Sequence, residues 1–404
     1  MWMLIAYTLC GFTGFFVTIS ALPAWLALQG TAESLTGLVT TALLIATVMT
    51  QIMVQRLKRL LGLTTTLAVG AVALGAPSLL FLIDDGFAWV LAISAVRGIG
   101  FGILTVLGSM FTARIVPPER RGEAVGIYGL AVALPNLLAV PGGVALVTAG
   151  HFEIVALLGA APLLGLPVVR HLARATGTDA SDGLDSSSPV EQAELDSGHS
   201  DEHLERQARR RARNAALGPA TVLMVVTLTS GGFMTFLPIA RPDGALASVA
   251  LLVWGTIGGL SRWRVGLIAD RVGLKWLLPA SSALNIVGIS TVAAGLLLQG
   301  ASSWTVIVIG SAVLGAGYGA VQNLTLVAAF QQARHQQLVT VSSVWNIGFD
   351  TGLALGSGLV GMLTVAVPIP GALALTGLLI LASLPLAVRV SRPAADAPPE
   401  EVAR

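Results

Sequence analysis

FAWVLAISAVRGIGFGILTVLGSMFTA, residues 87–113, holds a single charged side chain, Arg97. It is longer than the roughly 20 apolar residues a helix needs to cross a hydrocarbon core. A soluble core helix of that length would show a polar face, and this stretch has none. The reading that decides the fold is therefore a transmembrane helix with one buried cation.

The rest of the chain is built the same way. Of 404 residues, 54% are hydrophobic and only 11% charged, with a mean hydropathy of +0.82, whereas soluble domains carry about 25% charged residues. Cutting at charge clusters and turn residues yields twelve apolar spans, at 3–27, 34–54, 62–83, 87–113, 122–149, 152–171, 216–238, 245–263, 273–298, 304–331, 337–363 and 368–390. The 46 glycines suit close packing of helices in lipid. Barrel strands would instead alternate over about ten residues. The first stretch lacks a basic leading segment and runs straight into a second span, so it is expected to remain as a helix rather than be cleaved as a signal peptide. Cys10 lies in that stretch and reads as a small packing residue.

Charge sets the orientation, because Lys and Arg accumulate on the cytoplasmic side. With both termini inside, 21 of the 23 basic residues fall in cytoplasmic segments. Arg97 lies within span 4 and Arg241 in an outside turn, while Glu33, Asp84, Asp85, Glu153 and Asp243 mark the outside turns. The expected location is the cell (inner, cytoplasmic) membrane, multi-pass, with both ends cytoplasmic. Only one long hydrophilic segment interrupts the spans, ending in the basic run RQARRRAR (206–213). Its composition predicts disorder or a surface helix. The expected organisation is a six-helix half at 1–172, a cytoplasmic linker at 173–215, a second half at 216–390 and a tail at 391–404.

The halves resemble one another. RGIGFG (97–102) and LGAGYG (314–319) share three glycines and an aromatic at an offset of 217. The same offset sets Tyr128 against Trp345. Internal repeats of this kind are a recurring feature of secondary transporters.

Between spans 8 and 9 stands GLIADRVGLK, residues 266–275. Glycine, three residues, Asp-Arg, one residue, glycine and then a basic residue are met by Gly266, Asp270, Arg271, Gly273 and Lys275. This stretch resembles the loop motif of the major facilitator superfamily, in the place that family has it. The resemblance implies an all-α membrane fold with two pseudo-symmetric six-helix halves, alternating access to a central cavity, and a cytoplasmic gating role for the motif. The first-half loop, QRLKRLLGLT (55–64), keeps Gly62 but has Arg59 where the acid would be and Gln55 where the leading glycine would be. Arg97 resembles the family's buried arginine of the fourth helix. Gly126, Gly129, Pro135, Pro141, Gly142 and Gly143 loosely resemble its antiporter motif and point to export.

Charges in mid-membrane are costly and mark functional positions by default. Two qualify, Arg97 in span 4 and Asp350 in span 11. Asn346 lies one turn from Asp350 on the same face. The expectation is that Asp350 binds a coupling proton, that Asn346 belongs to its site, and that Arg97 tunes its proton affinity across the interface between halves. The competing reading is a structural charge pair. Thr18, Ser20, Thr105, Thr229, Thr235, Gln322, Asn323 and Trp345 are candidates for the substrate cavity. Pro23 and Pro238 suggest bends in spans 1 and 7.

No HExxH, GxSxG, Cys/His cluster or P-loop is present, which disfavours an enzyme, a metal site or ATP-driven transport. No cofactor and no nucleic-acid partner are expected. The chain reads as a monomeric secondary transporter in the lipid bilayer, moving a small molecule with the proton as coupling ion. Proton-coupled efflux of an amphiphilic or hydrophobic compound is the first reading, and import of a small polar solute by symport or facilitation the second.

Overall fold

The computed structural model describes residues 2–114, 121–175, 200–242, 244–331 and 338–392. Every regular element among them is helical. α1 (Trp2–Ile19) resumes after Ser20 as Ala21–Leu28; α2 is Glu33–Leu61; α3 is Leu63–Gly75, tightening to a 3-10 turn at Ala76–Leu82. α4 (Phe87–Arg114) and α5 (Arg121–Thr148) follow, and α6 is broken into Phe152–Gly159, a 3-10 turn at Ala161–Gly165, and Leu166–Ala175. The second half holds α7 (Ser200–Ala240), α8 (Ala245–Val272), α9 (Leu274–Leu296), α10 (Gly300–Gln331), α11 (Leu338–Leu363) and α12 (Ile369–Val390).

Eleven of these are long and apolar enough to cross a membrane. The twelfth, α11, carries Asn346 and Asp350 within its length. Helix ends match the expected spans closely except at three places: α2 runs on to Leu61 and α8 to Val272, past the expected ends at 54 and 263, and α7 begins at Ser200, so the last part of the hydrophilic linker is one continuous helix with the seventh span. The two prolines differ in effect. α1 is interrupted at Ser20, three residues before Pro23, as expected when a proline ring clashes with the carbonyl four residues back. α7 runs through Pro238 unbroken.

Large apolar side chains such as Ile52, Leu138, Val287, Met362 and Leu378 point outward, where hydrocarbon rather than water must solvate them. At the arginine-rich end, Arg264 lies over the Trp263 ring and Lys275 over the Trp276 ring. Such amphipathic pairs suit a membrane interface. At the opposite end, which bears Glu33, Asp85 and Glu153, Arg241 donates to the Leu298 carbonyl and the Ser303 hydroxyl. Arg241, the one arginine of that acidic end among the described residues, is thus spent on closing α9.

The glycine repeat is the packing code of both halves. A Cβ on Gly98 or Gly102 would meet the Leu43 or Thr47 carbonyl of α2, and on Gly315 or Gly319 the Trp254 or Gly258 carbonyl of α8. Gly100 faces Gly70 and Leu74 of α3 as Gly317 faces Ser281 and Asn285 of α9. Each partner is displaced by the same interval (254 − 43 = 258 − 47 = 281 − 70 = 285 − 74 = 211). Tyr128 and Trp345 obey their own offset in space, Tyr128 lying on Gly108 and Trp345 donating to Thr325 (325 − 108 = 345 − 128 = 217).

The halves meet where α2 packs on α11 and α5 on α8. At the acidic end the first of these contacts is backbone-close. Thr41 donates to the Ala354 carbonyl at 2.9 Å and sits 3.0 Å from the Ser357 hydroxyl. Nearby, a Cβ on Gly361 would stand 3.0 Å from the Ser34 carbonyl.

Candidate functional site

Asp350 lies near the middle of α11 and is 7% exposed. Its direction follows from how α11 is packed. Gly348, Gly352 and Gly356 lie against Ala220, Met224, Thr227 and Leu228 of α7, so this glycine stripe fixes the helix rotation. At 100° per residue, position 350 points about 160° away from both 348 and 352. Asp350 instead begins the stripe that continues through Ala354, Ser357 and Gly361 and faces α2. There Gln51 Nε2 donates to Asp350 Oδ2 at 2.6 Å and lies 3.2 Å from Thr105 Oγ1 of α4. The acid of one half is therefore held by a neutral amide of the other.

This link differs in kind from those nearer the acidic end. From Ser34 to Thr41 the two helices keep step, seven residues on each (41 − 34 = 361 − 354 = 7). Between Thr41–Ala354 and Gln51–Asp350, α2 advances ten residues and α11 only four (51 − 41 = 10, 354 − 350 = 4). Side chains rather than backbone span that last connection.

Around the acid the second half supplies aromatics. Trp345 and Phe349 stack at 5.8 Å, Phe349 is 6.4 Å from Tyr318, and Tyr318 is 4.7 Å from Trp254. The Tyr318 hydroxyl is within electrostatic reach of both Asp350 and Arg262. Arg262 donates to Gln322 Oε1 at 3.0 Å.

Arg97 is not part of this arrangement. It is 0% exposed, yet its guanidinium is committed within its own half: Nε to the Leu74 carbonyl at 3.0 Å, Nη1 to Thr18 Oγ1 at 2.8 Å and Nη2 to the Gly14 carbonyl at 2.7 Å. Its face also lies 5.7 Å from the Phe81 ring. No ion pair joins Arg97 to Asp350. The pairing expected across the halves gives way to backbone acceptors because α3 changes helix type one residue after Gly75, beside Leu74, and brings a main-chain oxygen within reach.

The loop motif is legible in part. Gly273 ends α8 at φ +77° and Gly62 ends α2 at φ +75°, and both glycines also precede the next helix. That left-handed turn is what the glycine supplies. A Cβ on Gly266 would stand 3.2 Å from the Asn323 amide nitrogen, while Arg271 and Lys275 are exposed. The Asp270 side chain, like that of Gln55, lies outside the described residues.

The sequence matches the family model described as Major Facilitator Superfamily over residues 4–284. The chain belongs to the Major Facilitator Superfamily. None of the curated proteins matches the sequence. Among solved structures, the fold is similar to a bacterial homologue of the human lysosomal transporter Spinster in an inward-facing and unoccupied conformation, with 16% identity, coverage of 96% of this chain and 95% of that one, and a TM-score of 0.68. It is also similar to the peptide transporter POT in complex with sulfate (16% identity, 97% and 95% coverage, TM-score 0.69). The partially occluded inward open xylose transporter XylE from E. coli matches at 14% identity, 96% coverage of each chain and a TM-score of 0.67. At these identities the likeness establishes the fold, a multi-pass superfamily transporter fold.

Within that superfamily frame the remaining sequence candidates separate. Thr105 joins the Asp350 group through Gln51. Asn346 does not, since its amide donates to Ser342 one turn back. Thr18 bonds Gly14 and Phe15 and receives Arg97. Asn323 donates to the Arg262 carbonyl, and Trp345 to Thr325. Ser20 and Thr229 are buried with no partner for their hydroxyls, and Thr235 is 1% exposed. Sequence reading missed Gln51 and Tyr318. Gln51 lies five residues before the basic cluster that begins at Arg56, so it passes for part of a membrane boundary.

Proposed function

We propose that the protein is a proton-coupled secondary transporter working by alternating access, in which Asp350 carries the coupling proton and the cargo is a small amphiphilic or hydrophobic compound moved outward. The observation that carries this reading is the Gln51–Asp350 contact. A mid-helix acid is held across the two halves by a neutral amide, and the buried Arg97 makes its three hydrogen bonds to α1 and α3 instead. An acid so placed can gain and lose a proton and feel the relative position of the halves, which a fixed ion pair could not.

The cargo class follows from the lining near the acid. Trp345, Phe349 and Tyr318 offer aromatic surface, and among the described residues no cluster of buried cations stands ready for a multiply charged anion. Export is favoured by the Gly/Pro-rich α5, which carries Pro135 and Pro141 inside the helix.

Reconstituted vesicles test the proposal. Asp350→Asn should abolish accumulation driven by a pH difference while sparing substrate exchange, because the amide mimics the protonated acid and still permits the conformational cycle. Uphill transport by the Asn variant would show that Asp350 is not the coupling site.

A further inference from the structure

Gln51 carries two polar groups, and only its nitrogen is used. Its Nε2 binds Asp350 Oδ2 and Thr105 Oγ1, so both amide hydrogens have acceptors. Its Oε1 is buried with no partner. A buried carbonyl without a donor is a defect that native structures rarely keep without a reason. An ionised carboxylate accepts only, so it can never satisfy that oxygen; a protonated carboxyl carries one O–H donor beside its remaining acceptor. A primary amide and a carboxylic acid are complementary along this edge, with N–H donating to one oxygen of the acid and the acid's O–H donating to the amide oxygen.

We propose that Gln51 is a proton-dependent clamp between the halves: when Asp350 is protonated its carboxyl and the Gln51 amide form a two-bond cyclic pair, and when it is ionised only the Nε2–Oδ2 bond remains. This rests on the reading of Asp350 as the proton carrier. The proton adds to the carboxyl oxygen that turns toward Oε1, and no other bond changes. Thr105 holds the second amide hydrogen and so keeps the amide's edge aligned with α11. Gln51 is a positioning residue, since the proton itself sits on Asp350.

Among the described residues, the other elements around the acid do not supply a competing charge. α7 faces α11 with Ala220, Met224, Thr227 and Leu228, all neutral. α10 contributes the Tyr318 hydroxyl, and behind it Gln322 takes up Arg262 of α8. α4 contributes Thr105, while its Arg97 is turned to α1 and α3. The clamp is placed where it can act, because Gln51–Asp350 is the side-chain link beyond the backbone-close contacts of α2 with α11.

Infrared difference spectra of the reconstituted protein between low and high pH read the clamp directly. Wild type should show the carbonyl band of one buried protonated carboxyl, lost in Asp350→Asn. Gln51→Met keeps the side-chain length but has no donor and only a weakly accepting sulfur, and it should move that band to the higher frequency of a carboxyl with fewer hydrogen bonds. Gln51→Asn, which withdraws the amide by one methylene, should do the same and serves if the Met variant folds poorly. In both variants the pH dependence of a spin-label distance between the acidic ends of α2 and α11 should be lost. A band present in wild type but unmoved in both variants would overturn the clamp and leave Asp350 as the proton carrier. Absence of any Asp350 band would overturn the proton-carrier reading and the clamp with it.

Discussion

Gly37 of α2 lies so close to Ser357 of α11 that a Cβ at position 37 would overlap the Ser357 carbonyl oxygen. Together with Thr41–Ser357 and Ser34–Gly361, this makes the α2–α11 seam at the acidic end a contact that only small residues allow. Seams of this kind, formed in one state and broken in another, are what an alternating-access cycle opens and closes.

Gly37→Leu should therefore disfavour the packed seam. Overpacking a tight contact costs about 1–3 kcal/mol, enough to lower the packed population roughly 5- to 150-fold. Spin labels at positions 35 and 362, both exposed, should report a longer and broader distance in the variant, and transport should slow with it. An unchanged distance distribution would mean that the seam does not limit closure.

Arg97 makes a stability prediction rather than a coupling one. Its three hydrogen bonds run to Gly14, Thr18 and Leu74 and so tie α4 to α1 and α3. Lysine retains the charge but not the fork that reaches three acceptors. Hydrogen bonds to a charged group are worth about 1.5–3 kcal/mol each, so Arg97→Lys should lower the unfolding temperature in detergent markedly. Any Arg97→Gln protein that survives should keep pH-driven transport, the opposite of what loss of a direct Asp350 partner would show.

The cytoplasmic gating role that the loop motif implies remains a proposal, and Asp270 is its test. Asp270→Asn should reduce turnover severalfold while leaving equilibrium substrate binding nearly intact, because the motif lies at the arginine-rich end of α8, far along the helix from Trp254. Loss of binding affinity in a folded variant with an unchanged conformational equilibrium would contradict a gating role. In the same turn, Gly273→Ala places a Cβ on a residue at φ +77°. That should cost roughly 1–2 kcal/mol, read as a drop in thermal stability.

Orientation is open to a chemical test. In a background where Cys10 is replaced, an impermeant thiol reagent should label a cysteine at position 85 in intact cells and should leave one at position 186 untouched until the membrane is broken. Labelling at 186 in intact cells would invert the topology.

Charge and length along the chain are one-dimensional properties, and they carry what they can. The twelve helices, the gathering of arginines at one end and the duplicated glycine code are legible because a bilayer imposes a length on every span and a penalty on every misplaced charge. Even the meaning of RGIGFG and LGAGYG can be anticipated, since glycine on a lipid-embedded helix marks a close neighbour. Partnership cannot be read in that way. Arg97 and Asp350 stand out in sequence as the two mid-membrane charges, and pairing them is the obvious inference. In the fold, Arg97 is satisfied by main-chain oxygens of Gly14 and Leu74, which every residue possesses and which no sequence pattern advertises. Asp350 is met instead by Gln51, 299 positions away. Its neighbours are decided by the rotation of α11, which its glycine stripe fixes against α7. The rest of its surroundings come from the approach of α2 across the halves, a matter of packing that only the tertiary structure settles.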